Sequence, residues 1–223
     1  MFDYFKYLFG RTCLNPGPLY RTIKYNFLRK NTERVDKKSV FFHTSFSIFD
    51  LHKTAKLIIE GSSTLGYKRY KHSALETSLV MGENSTLEIG SKAGGCNIYH
   101  GCDIQIFKNA KLKIGKCAIN RGAQIICQDS ITIGDDCMIS RDVVIRDNDG
   151  GHKILIDNYK PTAPVIIGNH VWIGQGAIIM KGVKIGDGAI IGAGAFVATN
   201  VKANALVMPD PSRTFAKDVN WDY

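Results

Sequence analysis

Residues 164–198 read PVIIGNHVWIGQGAIIMKGVKIGDGAIIGAGAFVA, and within them an aliphatic residue recurs at every sixth position. Ile167, Ile173, Ile179, Ile185, Ile191 and Val197 keep this phase without a slip. Two positions before each stands a smaller apolar residue: Val165, Val171, Ala177, Val183, Ala189 and Ala195. A period of six is neither the 3.6 of a helix nor the 2 of a simple strand. It is the spacing of a β-helix in which each hexad supplies one short strand and one corner. Three hexads then close one triangular coil, with the aliphatic residue pointing into the prism. Directly after four of the six comes Gly168, Gly174, Gly186 or Gly192, with Met180 and Ala198 as the exceptions. Glycine is expected there because a corner needs a backbone conformation that a Cβ makes costly.

Upstream the register returns at Ile98 and Ile104, and again at Ile119, Ile125, Ile133, Ile139 and Ile145. The step from Ile125 to Ile133 is eight, so two residues are inserted near Cys127-Gln128-Asp129. Ile89-Gly90 and Ile114-Gly115 resemble further corners, separated by irregular coils. The gap from Ile145 to Ile167 is 22, and one hexad subtracted from it leaves 16 residues to protrude. A loop over about 146–164 is therefore expected, on a scaffold that tolerates insertions at its corners. Loops held by a rigid scaffold are where function concentrates.

The predicted organisation is an N-terminal basic, helical cap over 1–40, a β-helix over 41–210 and a C-terminal extension over 211–223. In the first of these, segments on either side of Asn15-Pro16-Gly17-Pro18 suit two short amphipathic helices. Leu19, Ile23, Phe27 and Leu28 share a face of the second. Such a cap would cover strand edges otherwise open to unwanted pairing. Pro209 and Pro211 stop regular strand pairing at the other end.

Charge separates the chain into two parts. Residues 1–71 hold 14 Lys and Arg against 5 Asp and Glu, while 72–223 hold 15 against 15, so the first third carries the whole net charge of +9. A solvated basic face is one account, and contact with an anionic membrane surface is the other. Nucleic acid is not expected, because no recognition motif accompanies the charge. No apolar run reaches the length of a membrane span. The N-terminus places Asp3 and Lys6 in its apolar stretch and does not read as a secretory signal. The expected location is the cytoplasm, with the inner face of the membrane as the site of any contact.

Cys96, Cys102, Cys117 and Cys137 each stand two before an isoleucine, in the slot that Ala177 and Ala189 fill in the clean repeat. They read as inward fillers rather than disulfide or zinc residues, and no C-x2-C pair is present. Among six histidines, His43, His52 and His72 have no partner visible in sequence, and His100 and His170 sit at corner or exposed positions. His152 differs: it follows Asp147-Asn148-Asp149-Gly150-Gly151 in the expected loop, with two carboxylates near enough to orient an imidazole. Trp172 is one out of phase with the inward slots and is expected to project outward, as a subunit contact or ligand platform.

The segment from Lys160 to Val201, with its V-W-I-G and I-G-A-G strings, resembles the hexapeptide-repeat acyltransferases. That resemblance implies an all-β fold, a left-handed parallel β-helix with a short helical N-terminal segment and a protruding loop. The R-D-N-D-G-G-H loop and the closing N-W-D-Y resemble the subgroup that acetylates sugars in capsule, O-antigen or exopolysaccharide biosynthesis. By the same resemblance His152 is the general base, with Asp149 or Asp147 holding its tautomer. Trp172, Gln175, Ala193 and Arg213 fall on the acetyl-CoA contacts. Where the family closes with G-N-P-A-K, this chain has Pro209-Asp210-Pro211-Ser212-Arg213, which alters the nucleotide end.

The implied donor is acetyl-CoA with no metal, the implied acceptor a sugar or glycan, and the implied assembly a homotrimer with sites between subunits. Alternatives stay open: an N-acetyltransferase on an amino sugar, a xenobiotic acetyltransferase, a metal-dependent protein similar to the γ-class carbonic anhydrases, or a non-catalytic scaffold. The metal alternative needs three histidines at one interface, and His100, His152 and His170 show no paired spacing.

Overall fold

The computed structural model describes residues 16–44, 47–67, 75–151, 155 and 157–209. The chain enters through α1 (Pro16–Ile23) and a π-helical turn over Lys24–Leu28. Three strands then make each coil. The first coil is β1 (Thr32–Arg34), β2 (Phe41–His43) and β3 (Ser47–Leu51). The second is β4 (Lys56–Ile59), β5 (Ser63–Tyr67) and β6 (Thr77–Met81), and the third β7 (Thr86–Ile89), β8 (Asn97–Tyr99) and β9 (Asp103–Ile106). The fourth is β10 (Lys111–Ile114), β11 (Cys117–Ile119) and β12 (Gln124–Cys127). The fifth is β13 (Ser130–Ile133), β14 (Cys137–Ile139) and β15 (Val144–Arg146). After a protruding loop come β16 (Val165–Ile167), β17 (Trp172–Ile173) and β18 (Ile178–Ile179). The seventh coil is β19 (Lys184–Ile185), β20 (Ile190–Ile191) and β21 (Phe196–Val197), and β22 (Leu206–Val207) adds one more rung to the second sheet.

Every third strand pairs in parallel, so the first sheet runs β1-β4-β7-β10-β13-β16-β19 and the other two follow the same rule. The fold is the all-β, left-handed parallel β-helix, with a short helix before it. All six phase-setting residues from Ile167 to Val197 are buried, as are the small residues two before each. Cys96, Cys102, Cys117 and Cys137 are buried free thiols, and Cys127 joins them on the inner side of β12. The N-terminal coils are as regular as the rest. Their strands are longer, and those of the first sheet turn two residues inward, such as Leu57 with Ile59 and Leu87 with Ile89, so they leave no six-residue period.

Two expectations need correction. The glycines that follow the inward isoleucines do not carry the unusual backbone. The positive φ lies three residues after the isoleucine, at Gly176, Gly182, Gly188 and Gly194, and at His170 and Asp142 in equivalent corners. Gly174 is required for another reason: a Cβ there would lie 2.5 Å from the Ala193 nitrogen of the next coil.

The second correction concerns α1 and the turn after it. Of the apolar face read from the sequence, only Leu19 packs inward, against Val40 and Phe42. Ile23, Phe27 and Leu28 are exposed, while Thr22, Tyr25 and Asn26 are buried. The cause is the edge strand β2. The Asn26 side chain accepts from the Phe41 amide at 2.8 Å and donates to its carbonyl at 2.8 Å, and Thr22 Oγ1 accepts from the His43 amide at 3.2 Å. Satisfying buried backbone groups outweighs turning the greasier face inward. The strand β1 also places the first rung at Thr32, inside the segment expected to be wholly helical.

Candidate active site

At the corner between the second and third sheets, four successive coils present Arg121, Arg141, Gln175 and Ala193. Backbone bonds stack them: Asp142 donates to the Arg121 carbonyl at 3.1 Å, Gly176 to Arg141 at 3.0 Å and Gly194 to Gln175 at 2.8 Å. Beside this corner, the outer face of the second sheet aligns Met138, Trp172, Ile190 and Leu206 in register. Trp172 is 52% exposed, as its phase predicts. Its Nε1 donates to Ser140 Oγ at 3.3 Å, which fixes the indole toward the coil below.

Between ladder and corner runs a groove of about 750 Å³, lined among others by Asn120, Met138, Arg141, Trp172, Gln175 and Ala193. That volume suits a small-molecule ligand, with an apolar wall and a few polar groups to orient it. Trp172, Gln175 and Ala193, drawn from separate hexads, are thus brought together. Arg141, Met138 and Ser140 line the same groove and carried no mark in the sequence. Only their position relative to Ile139 matches that of Trp172 and Gln175 relative to Ile173.

The loop leaves at another corner, between the third and first sheets. An antiparallel bridge from Asn148 to Thr162 closes its neck, with the Asp149 amide donating to the Pro161 carbonyl at 3.2 Å. Asp147 is fully buried there. Its carboxylate accepts from the amides of Gln128 at 2.8 Å and Asp129 at 2.7 Å, so it fastens the corner that contains the two-residue insertion. Asp149 accepts from Lys181 Nζ at 2.6 Å and from the Tyr159 hydroxyl. Lys181 also donates to Tyr159 Oη at 2.9 Å and to the Lys160 carbonyl at 2.7 Å, tying the loop to the next coil. Hydrogen bonds from Lys181 and then Tyr159 hold the Asp149 carboxyl below the usual carboxylate range.

His152 and Arg213 lie outside the described residues, as do His72 and Cys13. No described residue of the loop lines the groove. His100 is buried near the second-sheet end of the third coil, whereas His170 is exposed at a first-to-second-sheet corner three coils on. Among the described residues no three metal-ligating side chains cluster. No described helix is long and apolar enough to cross a membrane.

Residues 164–199 match the family model "Bacterial transferase hexapeptide (six repeats)". The chain is 37% identical over 125 residues to a polysialic acid O-acetyltransferase of Escherichia coli O1:K1 / APEC, covering 53% of this chain and 40% of that protein. It is 33% identical over 110 residues to a polysialic acid O-acetyltransferase of Neisseria meningitidis, covering 46% and 48%. The match thus spans about half the length of these relatives. Among solved structures, the polySia-specific acetyltransferase NeuO superposes with a TM-score of 0.58 at 25% identity, over 86% of this chain and 82% of that one.

Proposed function

We propose that this hexapeptide-repeat chain is an O-acetyltransferase that moves acetyl from acetyl-CoA to a sugar hydroxyl of a surface polysaccharide. The observation that carries the reading is the groove itself, where three residues expected to touch acetyl-CoA converge beside an apolar ladder. The ladder suits a pantetheine arm, with Trp172 as its wall and the Gln175 and Ala193 corner as its floor. Arg213 would meet the nucleotide phosphate. The names of the relatives support a sugar acceptor.

In the reaction, His152 takes the proton of the acceptor hydroxyl as its oxygen attacks the thioester carbonyl. Backbone N–H groups along the coil stabilise the oxyanion. Collapse of the tetrahedral adduct breaks the carbon–sulfur bond, and the histidine returns the proton to the CoA thiolate. The loop neck and the groove occupy different corners of one prism. A site that uses both therefore draws the loop from a neighbouring copy, in keeping with a trimer. Asp149, engaged with Lys181 and Tyr159, would act by fixing the loop, and Asp147 by holding its root. The basic N-terminal end would rest on the anionic inner face of the membrane.

Purified protein incubated with radiolabelled acetyl-CoA and a panel of lipid-linked sugars, nucleotide sugars and glycans tests the activity. With an accepted glycan, His152→Ala should lose roughly 10²–10⁴-fold in rate, the usual worth of a positioned general base. Acetyl-CoA binding by the variant should persist. A variant rate within about threefold of wild type would remove His152 from the chemistry.

A further inference from the structure

This solenoid neutralises its stacked charges by pairing opposite signs on neighbouring coils. All five ion pairs among the described residues do so: Lys56 with Glu33, Lys108 with Glu83, Lys113 with Glu88, Lys116 with Asp136 and Lys181 with Asp149. One place breaks the rule. Arg141 stands directly above Arg121 at the second-to-third-sheet corner, joined by the Asp142 amide on the Arg121 carbonyl. Adjacent strands are ~4.8 Å apart, so two guanidinium-bearing backbones are held at about that spacing.

Neither arginine makes an ion pair or a side-chain hydrogen bond among the described residues. The neighbouring carboxylate, Asp142, faces the next coil instead, where its Oδ2 accepts from Gln175 Nε2 at 3.4 Å. The stem of Arg121 is held, since a Cβ on Gly101 would lie 3.4 Å from its Cγ. Arg141 lines the groove, and Arg121 continues the same corner one coil beyond Arg141, away from Ala193. Stacked like charges destabilise a sheet face. Two forked donors at one edge of a groove are the arrangement that grips carboxylates in bidentate fashion.

We propose that Arg121 and Arg141 form the acceptor subsite and that the acceptor is an acidic glycan, each guanidinium taking the carboxylate of one sugar. The inference rests on the groove being the acetyl-CoA site, with the donor lying toward Ala193 and the acceptor entering over Arg141. A second anion, the phosphate of CoA, could meet the same donors, and the experiment separates the two.

Oligomers of sialic acid and of galacturonic acid would be titrated into the full-length protein, each beside its carboxyl-reduced form. The wild type should bind at least one acidic oligomer and not its reduced counterpart, with affinity falling as salt rises. Arg121→Gln and Arg141→Gln should each weaken that binding roughly tenfold, the worth of a charged hydrogen bond. Acetyl-CoA affinity should stay within about twofold of wild type, well inside that expected loss. Arg141→Glu restores the opposite-sign pattern, so it should melt no lower than wild type while losing the acidic oligomer. Equal binding of acidic and reduced oligomers by the wild type would overturn the proposal, as would variants that weaken acetyl-CoA and leave the glycan. Because binding needs no turnover, failure of transfer with intact acidic-glycan binding would count against the acetyl-transfer reading and leave the subsite standing.

Discussion

His43 shows what a single buried titratable residue does to this fold. It lies inside the first coil against the rings of Tyr25, Phe41 and Phe49, the last only 3.8 Å away, and neither ring nitrogen finds a partner. Burial, helped by the charge of Arg21, lowers its pKa from 6.5 to about 3. Above pH 6.5 neither folded nor unfolded chain binds this proton and the residue is neutral to stability. Below it the unfolded chain takes up a proton that the folded one refuses. Stability therefore falls by roughly 1.4 kcal/mol per pH unit from about 6.5 down toward 3. His43→Phe should flatten that limb, which urea unfolding at pH 8 and pH 5 would reveal; an unchanged pH dependence would contradict the assignment. The thiols behave in the same sense. Burial pushes Cys102 up to about 12 and Cys137 up to about 11, so both should resist a thiol reagent in the native state and label at once in denaturant.

At the scale of elements, α1 and the turn after it have exchanged the roles of their faces. Their polar side chains complete the edge of β2, and Tyr20, Ile23, Phe27 and Leu28 are left outward beside Lys24 and Lys30. Arg34 lies over the Phe27 ring at 4.5 Å, adding charge to the same surface. Apolar side chains ringed by basic ones suit the boundary of an anionic bilayer. Sedimentation with vesicles of acidic phospholipid should carry the protein down at low salt and release it at high salt. Phe27→Ser with Leu28→Ser should abolish the effect without disturbing Thr22 or Asn26. Equal sedimentation of that variant would leave α1 with its capping role alone.

For the whole molecule, the apolar ladder of the second sheet decides the assembly. Met138, Trp172, Ile190 and Leu206 lie exposed in one line, and Met208 extends it at 64% exposure. A monomer seldom leaves such a line to water. Equilibrium sedimentation should give three times the chain mass, and Ile190→Asp should give monomers that also lose acetyl-CoA affinity. A monomeric wild type at micromolar concentration would sink the shared-site arrangement.

The period of six, by itself, determined the inward residues of the last coils, the outward face of Trp172 and the existence and limits of the loop. These follow from local alternation: a hexad knows which of its side chains face inward. It could also have marked Ile190 and Ala193, since three hexads make one coil and each lies 18 residues after Trp172 or Gln175. Met138 and Arg141 lay beyond reach, because the loop of unknown length breaks that count. Only hydrogen bonding between coils decided that Arg141 belongs over Arg121, that Asp147 serves the corner at Gln128 and Asp129, and that the greasy side of α1 faces out. In each case the deciding partner is a backbone group far away in sequence, left open by the closing of a coil. No local pattern can announce which side chain will satisfy it.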